Sequence, residues 1–531
     1  MARVLATVSE YLESNQPPTD SRRYGRYLEK IRSLPVVSAG GSSSSSSPAR
    51  SSEYSGSMSS GESGGGGGGS HHRRYTPYSN VSSSFLTVGV EVHSPREIAE
   101  QMVSEGFVVN LIGEFSRHRE ALERWFSEMD VGWVLLRSAL DREGVERLDD
   151  LVRRWMRGFT VMAHAISATH HHLHDESSTA EGPVAVADDD AMGFPIPTAQ
   201  LVSEHELHLA RFAEATVSKM LAFADALAAG NTWRRPMEKL SRLMDMYISI
   251  SSVSGTLMPS LEQEARRLAT SAEMESLFGK TEAAFSTTGS NLAKAIWRMA
   301  KDAEALTPVL IGMDSWVSFP QNEEIHESTR LIVDYARLFW GFRDELDRPD
   351  DVLYNSGNCD TEDQPQDFIN LIVQMINNFG QQLEKKSESF SDNCLRYMFL
   401  LNNSYFIQDQ FLAPTGYSVA PKISLKYEQY RENYIRESWE RVLYCLHDKM
   451  PLWFPKHSSE LARFKSELQK TCRHQKLWKV PNPKLRKSLR EVIIDKVING
   501  YKRYMENHPD QEKCSSDQQD MEDMVNELFE G

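Results

Sequence analysis

The feature that most constrains this chain is a hydrophobic period that begins near Phe85 and persists to the last residues. Ile98, Met102, Val103, Phe107, Leu111 and Phe115 recur at three- and four-residue steps, as do Leu122, Phe126 and Met129. That spacing lines one face of an α-helix. Segments 201–229, 236–258, 283–306, 324–346, 366–411, 422–449, 459–474, 484–507 and 518–529 repeat it, while two-residue alternation is rare. Helices with apolar stripes and no sheet to cover must cover one another. The expectation is an all-α protein: an elongated rod of tandem antiparallel helical bundles. At 531 residues the chain is also too long for one compact core, which suits bundles in series.

Punctuation divides the chain. Residues 1–37 read as one short amphipathic segment or two. Residues 38–84 form a linker around "GSSSSSSPAR" and "SGESGGGGGGSHHRR", whose Gly/Ser composition buries too little apolar area to offset chain entropy. N-terminal and middle bundles are expected over 85–343, interrupted by an acidic loop at 175–197. A second acidic loop is expected at 344–367, followed by C-terminal bundles over 368–531 with a basic surface.

Composition excludes several classes. No apolar run approaches the ~18 residues of a membrane span, and the N-terminus lacks the pattern of a cleaved leader. The five cysteines are scattered without a C-x-x-C pair, as for reduced thiols in a cytoplasmic protein. Gly279-Lys280-Thr281 looks like the end of a phosphate loop, but Met274 stands where the first glycine belongs. The cluster His170, His171, His172, His174 and Asp175 reads as a solvated helix end, not a metal site. No catalytic carboxylate pair or nucleophile motif is apparent, so neither an enzyme nor a bound cofactor is expected.

Charge is uneven. The net charge is −16, yet from Lys422 to Met505 there are 20 Lys and Arg against 9 Asp and Glu. Such a basic region in an acidic protein points to an anionic partner. Its densest part holds Lys484, Lys487, Arg490, Lys496, Lys502 and Arg503. Lys484, Lys487 and Arg490 step by three and are expected to form a ridge, with Leu485, Leu489 and Val492 packed inward. Trp478 and Tyr501 are too few to stack bases, so nucleic acid is not the expected partner.

One stretch, "YMFLLNNSYFI" at 397–407, sets two amides inside the oiliest segment of the chain. On a helical wheel Asn402 falls at the centre of the apolar face and Asn403 at its edge. An unpaired buried amide costs about 1–3 kcal/mol. Asn402 is therefore expected to bond a facing group and fix helix register.

These residues also carry a resemblance. "KKSESFSDNCLRYMFLLNNSYFI" resembles a hallmark of the seventy-kilodalton exocyst subunit family through Lys386, Ser387, Asp392, Leu395, Tyr397, Phe399, Leu400, Asn402, Asn403 and Phe406. "NEEIHESTRLIVDYARLF" is similar to another segment of that family, keeping His326, Thr329, Val333 and Tyr335. "YIRESWERVLYCL", the stretch from Ala462 to His508 and the final "MVNELFEG" follow in the family's order, the last much as in plant members. The resemblance implies a rod of the tethering-complex type that helps attach secretory vesicles to the plasma membrane. It implies other exocyst subunits as partners, Rho-type GTPases in some members, and a phosphatidylinositol bisphosphate membrane surface. It also implies a cytoplasmic protein peripheral at the plasma membrane, with no catalytic role.

Three departures accompany it. The first 37 residues cannot hold the several heptads of a family coiled coil, which predicts impaired assembly with sister subunits. "EKCSSD" at 512–517 replaces a basic tip. "NEEIHEST" lacks the glycines and proline of the family turn. The alternative expectation is a diverged helical interaction protein acting outside the exocyst, such as a target or sensor in plant defence.

Overall fold

In the computed structural model, residues 25, 27–36, 93–118, 120–135, 145–179, 198–230, 236–267, 271–312, 325–346, 368–415, 420–423, 425–446, 460–508 and 515–530 are described. Most of the expected linker and loop segments, and the start of "EKCSSD", lie outside them. Among the described residues there is no β-strand; a single antiparallel bridge joins Lys479 and Glu530.

The first helices are punctuated by identifiable chemistry. α1 (Leu28–Ser33) is a single short piece. α2 (Pro95–Ser104) starts with a capping box: Ser94 Oγ accepts from the Glu97 N–H at 3.2 Å, and the Ser94 N–H donates to Glu97 at 2.8 Å. Gly106, at φ +70°, turns the chain into α3 (Phe107–Phe115). α4 (Glu120–Glu128) ends in a tight turn through Asp130. At Gly158 any Cβ would stand 2.7 Å from the Met129 carbonyl, so only glycine lets the next helix pass this turn closely.

Four long helices follow: α5 (Val145–Thr179), α6 (Thr198–Ala229), α7 (Pro236–Arg267) and α8 (Ala272–Gly312). α5 packs on α6 and α7, and α8 packs on both of them, so the four close into a bundle. Trp155, Phe159, Phe212, Phe223 and Phe285 fill it, and the Trp155 indole N–H donates to the Met220 carbonyl at 3.0 Å. At 1.5 Å per residue α8 is about 60 Å long, and its later turns pack on the next bundle.

That next bundle holds α9 (Glu327–Leu346), α10 (Phe368–Ser387) and α11 (Asn393–Ile407). Phe368 is its hub, in contact with Trp297, Phe339 and Phe342. α11 runs on through a π-turn, Gln408–Leu412. There Arg337 of α9 donates to the Gln410 carbonyl at 2.9 Å. α12 begins as Tyr427–Ile435 and continues through a second π-turn, Arg436–Glu440, to Arg441–Tyr444. α13 (Glu460–Gln475), α14 (Pro483–Asn507) and α15 (Ser515–Asn526) complete the fold. One continuous apolar core runs from Tyr27 to Phe529, and each bundle packs mainly on its neighbours along the chain. The all-α expectation of bundles in tandem holds.

Several boundaries differ from expectation; among them, α5 runs to Thr179, past the expected start of the acidic loop at 175. α7 continues past residue 258 through Pro259 to Arg267, because Leu257 and Leu261 are buried on either side of the proline and hold the helix across it. α8 starts at Ala272, not 283, so Gly279-Lys280-Thr281 sits inside a helix and cannot cradle a phosphate. The expected helix 366–411 is two helices. Asp392 starts the second by accepting from the Cys394 N–H at 2.8 Å.

Candidate interaction surface

The basic region is built on the turn between α13 and α14. Asn482 caps α14, accepting from the Lys484 N–H at 2.9 Å, and Pro483 occupies the first helical position. The turn is pinned from two sides. Asn402 donates to the Lys479 carbonyl at 3.1 Å, and the Val480 N–H donates to the Phe529 carbonyl at 3.2 Å. Leu528 and Phe529 are fully buried, so the tail following α15 is part of this core. Trp478 is buried beneath the turn, whereas Leu477 points outward and is 77% exposed. Leu477 and Tyr444 are the two large apolar side chains so exposed among the described residues. Arg473, Lys476, Lys479, Lys484 and Lys487 are exposed around Leu477 in sequence, and Lys476 pairs with Glu527 at 2.8 Å.

The expected ridge is rearranged. Lys484 and Lys487 are exposed, but Arg490 is not part of their face. Its guanidinium donates to the Leu528 carbonyl at 3.0 Å and pairs with Glu530 at 2.6 Å. The reason is geometric: each three-residue step turns the helix back by about 60°, so two steps carry Arg490 around to the tail side. Arg486 also pairs with Glu530. Hydrogen bonding by Arg490, with Arg486 beside it, holds the Glu530 carboxyl below the usual range. Leu485 and Leu489 are buried as expected, and Val492 is half-buried.

Lys496, Lys502 and Arg503 are exposed too, and with Lys484 they make no ion pair among the described residues. They do not extend the first group continuously. Exposed Glu491 and Asp495 intervene, and Lys487 pairs with Glu491 at 3.8 Å. Lys484 and Lys502 lie about 27 Å apart along the axis. The basic surface is therefore two clusters on one helix.

Elsewhere the polar core has two joints. In the second bundle Asn403, fully buried, accepts from the His326 N–H at 2.9 Å and the Thr329 hydroxyl at 2.5 Å, and donates to the Phe399 carbonyl at 2.8 Å. The Ser328 N–H donates to His326 Nδ1 at 3.1 Å, and burial pushes the His326 imidazole below its ordinary value. The wheel places Asn403 at the margin of its face; in the fold it is fully buried and bonds three groups. In the first bundle His170 is 3% exposed and lies 2.6 Å from Glu264, itself buried. His171 and His172 are exposed, as at the expected solvated end, but His170 is not, because its face of α5 packs against Glu264 of α7. Glu206 of α6 joins this group and pairs with Arg267. Burial, and the neighbouring Glu264 carboxylate, push the Glu206 carboxyl up to about 7.

Among the described residues no trio of His, Cys, Asp or Glu is arranged to hold a metal ion, and no helix is long and apolar enough to cross a membrane. Burial pushes the Cys472 thiol up to about 12 and raises Cys445 as well, so neither is poised as a nucleophile. Cys359 and Cys514 lie outside the described residues.

Comparison with known families gives a match over residues 196–527 to the C-terminal domain of the Exo70 component of the exocyst complex. The chain belongs to the Exo70 family. The matched span contains both amides, the His326 turn and the whole basic helix. The exocyst complex component EXO70B2 of Arabidopsis thaliana is 24% identical over 421 residues, covering 77% of this chain and 62% of that protein. EXO70B1 of the same plant is 22% identical over 468 residues, covering 83% of this chain and 66% of that one. The chain thus spans less than two thirds, or about two thirds, of the length of these Exo70 relatives. Among solved structures, the Exo70p exocyst component of S. cerevisiae is 12% identical with a TM-score of 0.31, covering 82% of this chain and all of that one.

Proposed function

We propose that this Exo70-family chain acts as an exocyst-type subunit that tethers secretory vesicles at the plasma membrane, through contacts with other subunits and with phosphoinositides. Membership of the family supports the tethering role. The observation that carries the membrane contact is the α13–α14 turn, where exposed Leu477 stands among Arg473, Lys476, Lys479, Lys484 and Lys487. Lysines near an anionic bilayer contribute about 1 kcal/mol each, and a leucine at the centre of such a group gains by entering the interface. Arg490 and Arg486 act indirectly, by fixing the tail that supports the turn. Lys496, Lys502 and Arg503 supply a second anionic contact farther along α14.

The test is sedimentation with vesicles containing phosphatidylinositol bisphosphate. Reversal of Lys479, Lys484 and Lys487 to Glu lowers binding by about tenfold or more, and added salt weakens the wild-type interaction. Leu477→Ala lowers binding without changing its salt dependence. Arg490→Glu acts on thermal stability instead, because it removes the tail clamp. Unchanged sedimentation of the triple variant would end the proposal for this surface. Pull-down with sister exocyst subunits tests the assembly half independently; vesicle binding retained while no sister subunits are pulled down would favour a role outside the complex.

A further inference from the structure

Residues 27–36 precede the family-matched span by more than 150 positions, yet they are docked on the body. Tyr27, Ile31 and Leu34, spaced i, i+4 and i+7, are all buried. Their helix packs against α2 and α5. The Tyr27 ring lies 5.4 Å from that of Phe107, and its hydroxyl donates to Glu105 at 2.5 Å. Lys30 donates to Gln101 at 2.7 Å, and Arg32 pairs with Asp130 at 2.9 Å. The Gly25 N–H donates to Glu128 at 3.1 Å, and Arg157 of α5 donates to the Arg32 carbonyl at 2.9 Å.

Two properties mark this as a ligand in a groove. A six-residue helix has no stability of its own, so its shape comes from the surface it sits on. The surface also keeps its own charge balance: Asp130 is held by Arg154 through two hydrogen bonds of 2.8 Å, independently of Arg32. Between Val36 and His93 the sequence is dominated by Ser and Gly. Three apolar anchors on one helical face, with polar contacts around them, is the pattern of helix-in-groove recognition.

We infer that the surface formed by α2, the Asp130 turn and α5 is a docking groove for a short amphipathic helix with aromatic, isoleucine and leucine anchors at i, i+4 and i+7 and an arginine at i+5. Its occupant is the chain's own segment 27–36, bound in cis and displaceable. Tethering supplies the occupant at high local concentration, so a competing helix from outside must outbid a ligand that is always present.

The test uses the whole chain and a fluorescein-labelled synthetic peptide of residues 22–37. In the chain carrying Ile31→Asp the cis ligand is disabled, and the peptide binds in the micromolar range by fluorescence anisotropy. The wild-type chain binds it at least tenfold more weakly, and a peptide with the same Ile31→Asp change does not bind. Failure of the peptide to bind the Ile31→Asp chain, or equal binding to both chains, overturns the inference. Hydrogen exchange on the wild-type chain gives a second readout that does not depend on the variant's folding. Amides 28–34 exchange much faster than those of 155–166 if the segment opens alone; equal protection would make it an integral part of the core and overturn the inference. A concentration-dependent dimer abolished by Ile31→Asp would overturn cis occupancy in favour of exchange between copies.

Discussion

The two polar joints inside the helical bundles solve one problem in opposite ways. In the first bundle His170, Glu206, Glu264 and Arg267 tie α5, α6 and α7 together through ionisable side chains. In the second, Asn403 ties α11 to the start of α9 with amide hydrogen bonds, and Asn402 ties α11 to the α13–α14 turn. Buried charges are costly unless every one is paired, and their balance shifts with each proton. Buried amides cost little once satisfied and hardly respond to pH. The first joint is therefore expected to be conditional and the second constitutive. The second is also the one that reaches toward the candidate membrane surface.

The sharpest way to break that contrast is Asn403→Ala. It removes the acceptor of the half-buried His326 N–H and of the buried Thr329 hydroxyl, together with the donor to the Phe399 carbonyl. A loss of about 3 kcal/mol is expected, seen as a shift of the urea midpoint that is similar at pH 6 and pH 8. A strongly pH-dependent loss would mean that the joint is not the neutral device its geometry indicates.

The next effect in size concerns Glu206, whose carboxyl holds its proton to about pH 7 rather than its ordinary 4.5. Between those values the folded state binds more protons than the unfolded chain. Stability therefore falls as pH rises through that window, and the loss is complete above it. Glu264 shifts the other way. Burial alone would raise it, but its hydrogen bond with His170 and the charges beside it outweigh burial and lower it, so it sustains stability until the solution is acidic. Glu206→Gln keeps a polar side chain facing Arg267 and removes the titration. The melting temperature of this variant should lack the wild-type decline as pH rises toward 8 and should exceed that of wild type at pH 8. A parallel decline in both proteins would place the pH sensitivity elsewhere.

How much of this was legible in the sequence follows from what a helical wheel can represent. A wheel finds the buried stripe, which is why the all-α architecture, Leu485 and Leu489 were readable. It finds a buried amide when the amide sits at the stripe's centre, as Asn402 does. It cannot anticipate a neighbour that widens the buried face, and the start of α9 arrives over Asn403 from more than 70 residues away. His170 escaped for the same reason: it lies in a hydrophilic run, and its partner Glu264 is 94 positions distant. Arg490 was misplaced for a different one, because stepping by three follows a helix face for only about one turn. The docking of residues 27–36 did have a local signal, the spacing of Tyr27, Ile31 and Leu34, but it is three residues long and flanked by composition that points to a loose chain.

A smaller effect distinguishes the two amides. Asn402→Ala removes the hydrogen bond to the Lys479 carbonyl, at about 1 kcal/mol. Because that bond holds the α13–α14 turn, vesicle binding should weaken along with stability. Asn403→Ala should lower stability more and vesicle binding less. If both variants retain full vesicle binding, the turn's rigidity is irrelevant to the membrane contact.

The smallest expected effect tests whether the amide joint has any pH dependence at all. His326 sits at its edge, with Nδ1 accepting from the Ser328 N–H, so the ring works there as a neutral acceptor. Burial lowers its pKa from the ordinary 6.5. As pH falls, the unfolded chain takes up the proton first. The stabilisation is therefore fully present above 6.5 and is lost as pH falls through the folded value. That is the reverse of the Glu206 response, and it acts in the other bundle. His326→Asn offers an amide oxygen to the same N–H, as at an N-cap, and cannot titrate. Its stability at pH 8 should lie within about 1 kcal/mol of wild type. The wild type should lose more stability than the variant between pH 6.5 and pH 5. Measured in a Glu206→Gln background, where the opposing slope is gone, the part of that acid loss removed by His326→Asn should stand out beside a loss of the same sign from His164, whose imidazole burial also lowers. Its absence there would mean that Nδ1 is not the acceptor for Ser328.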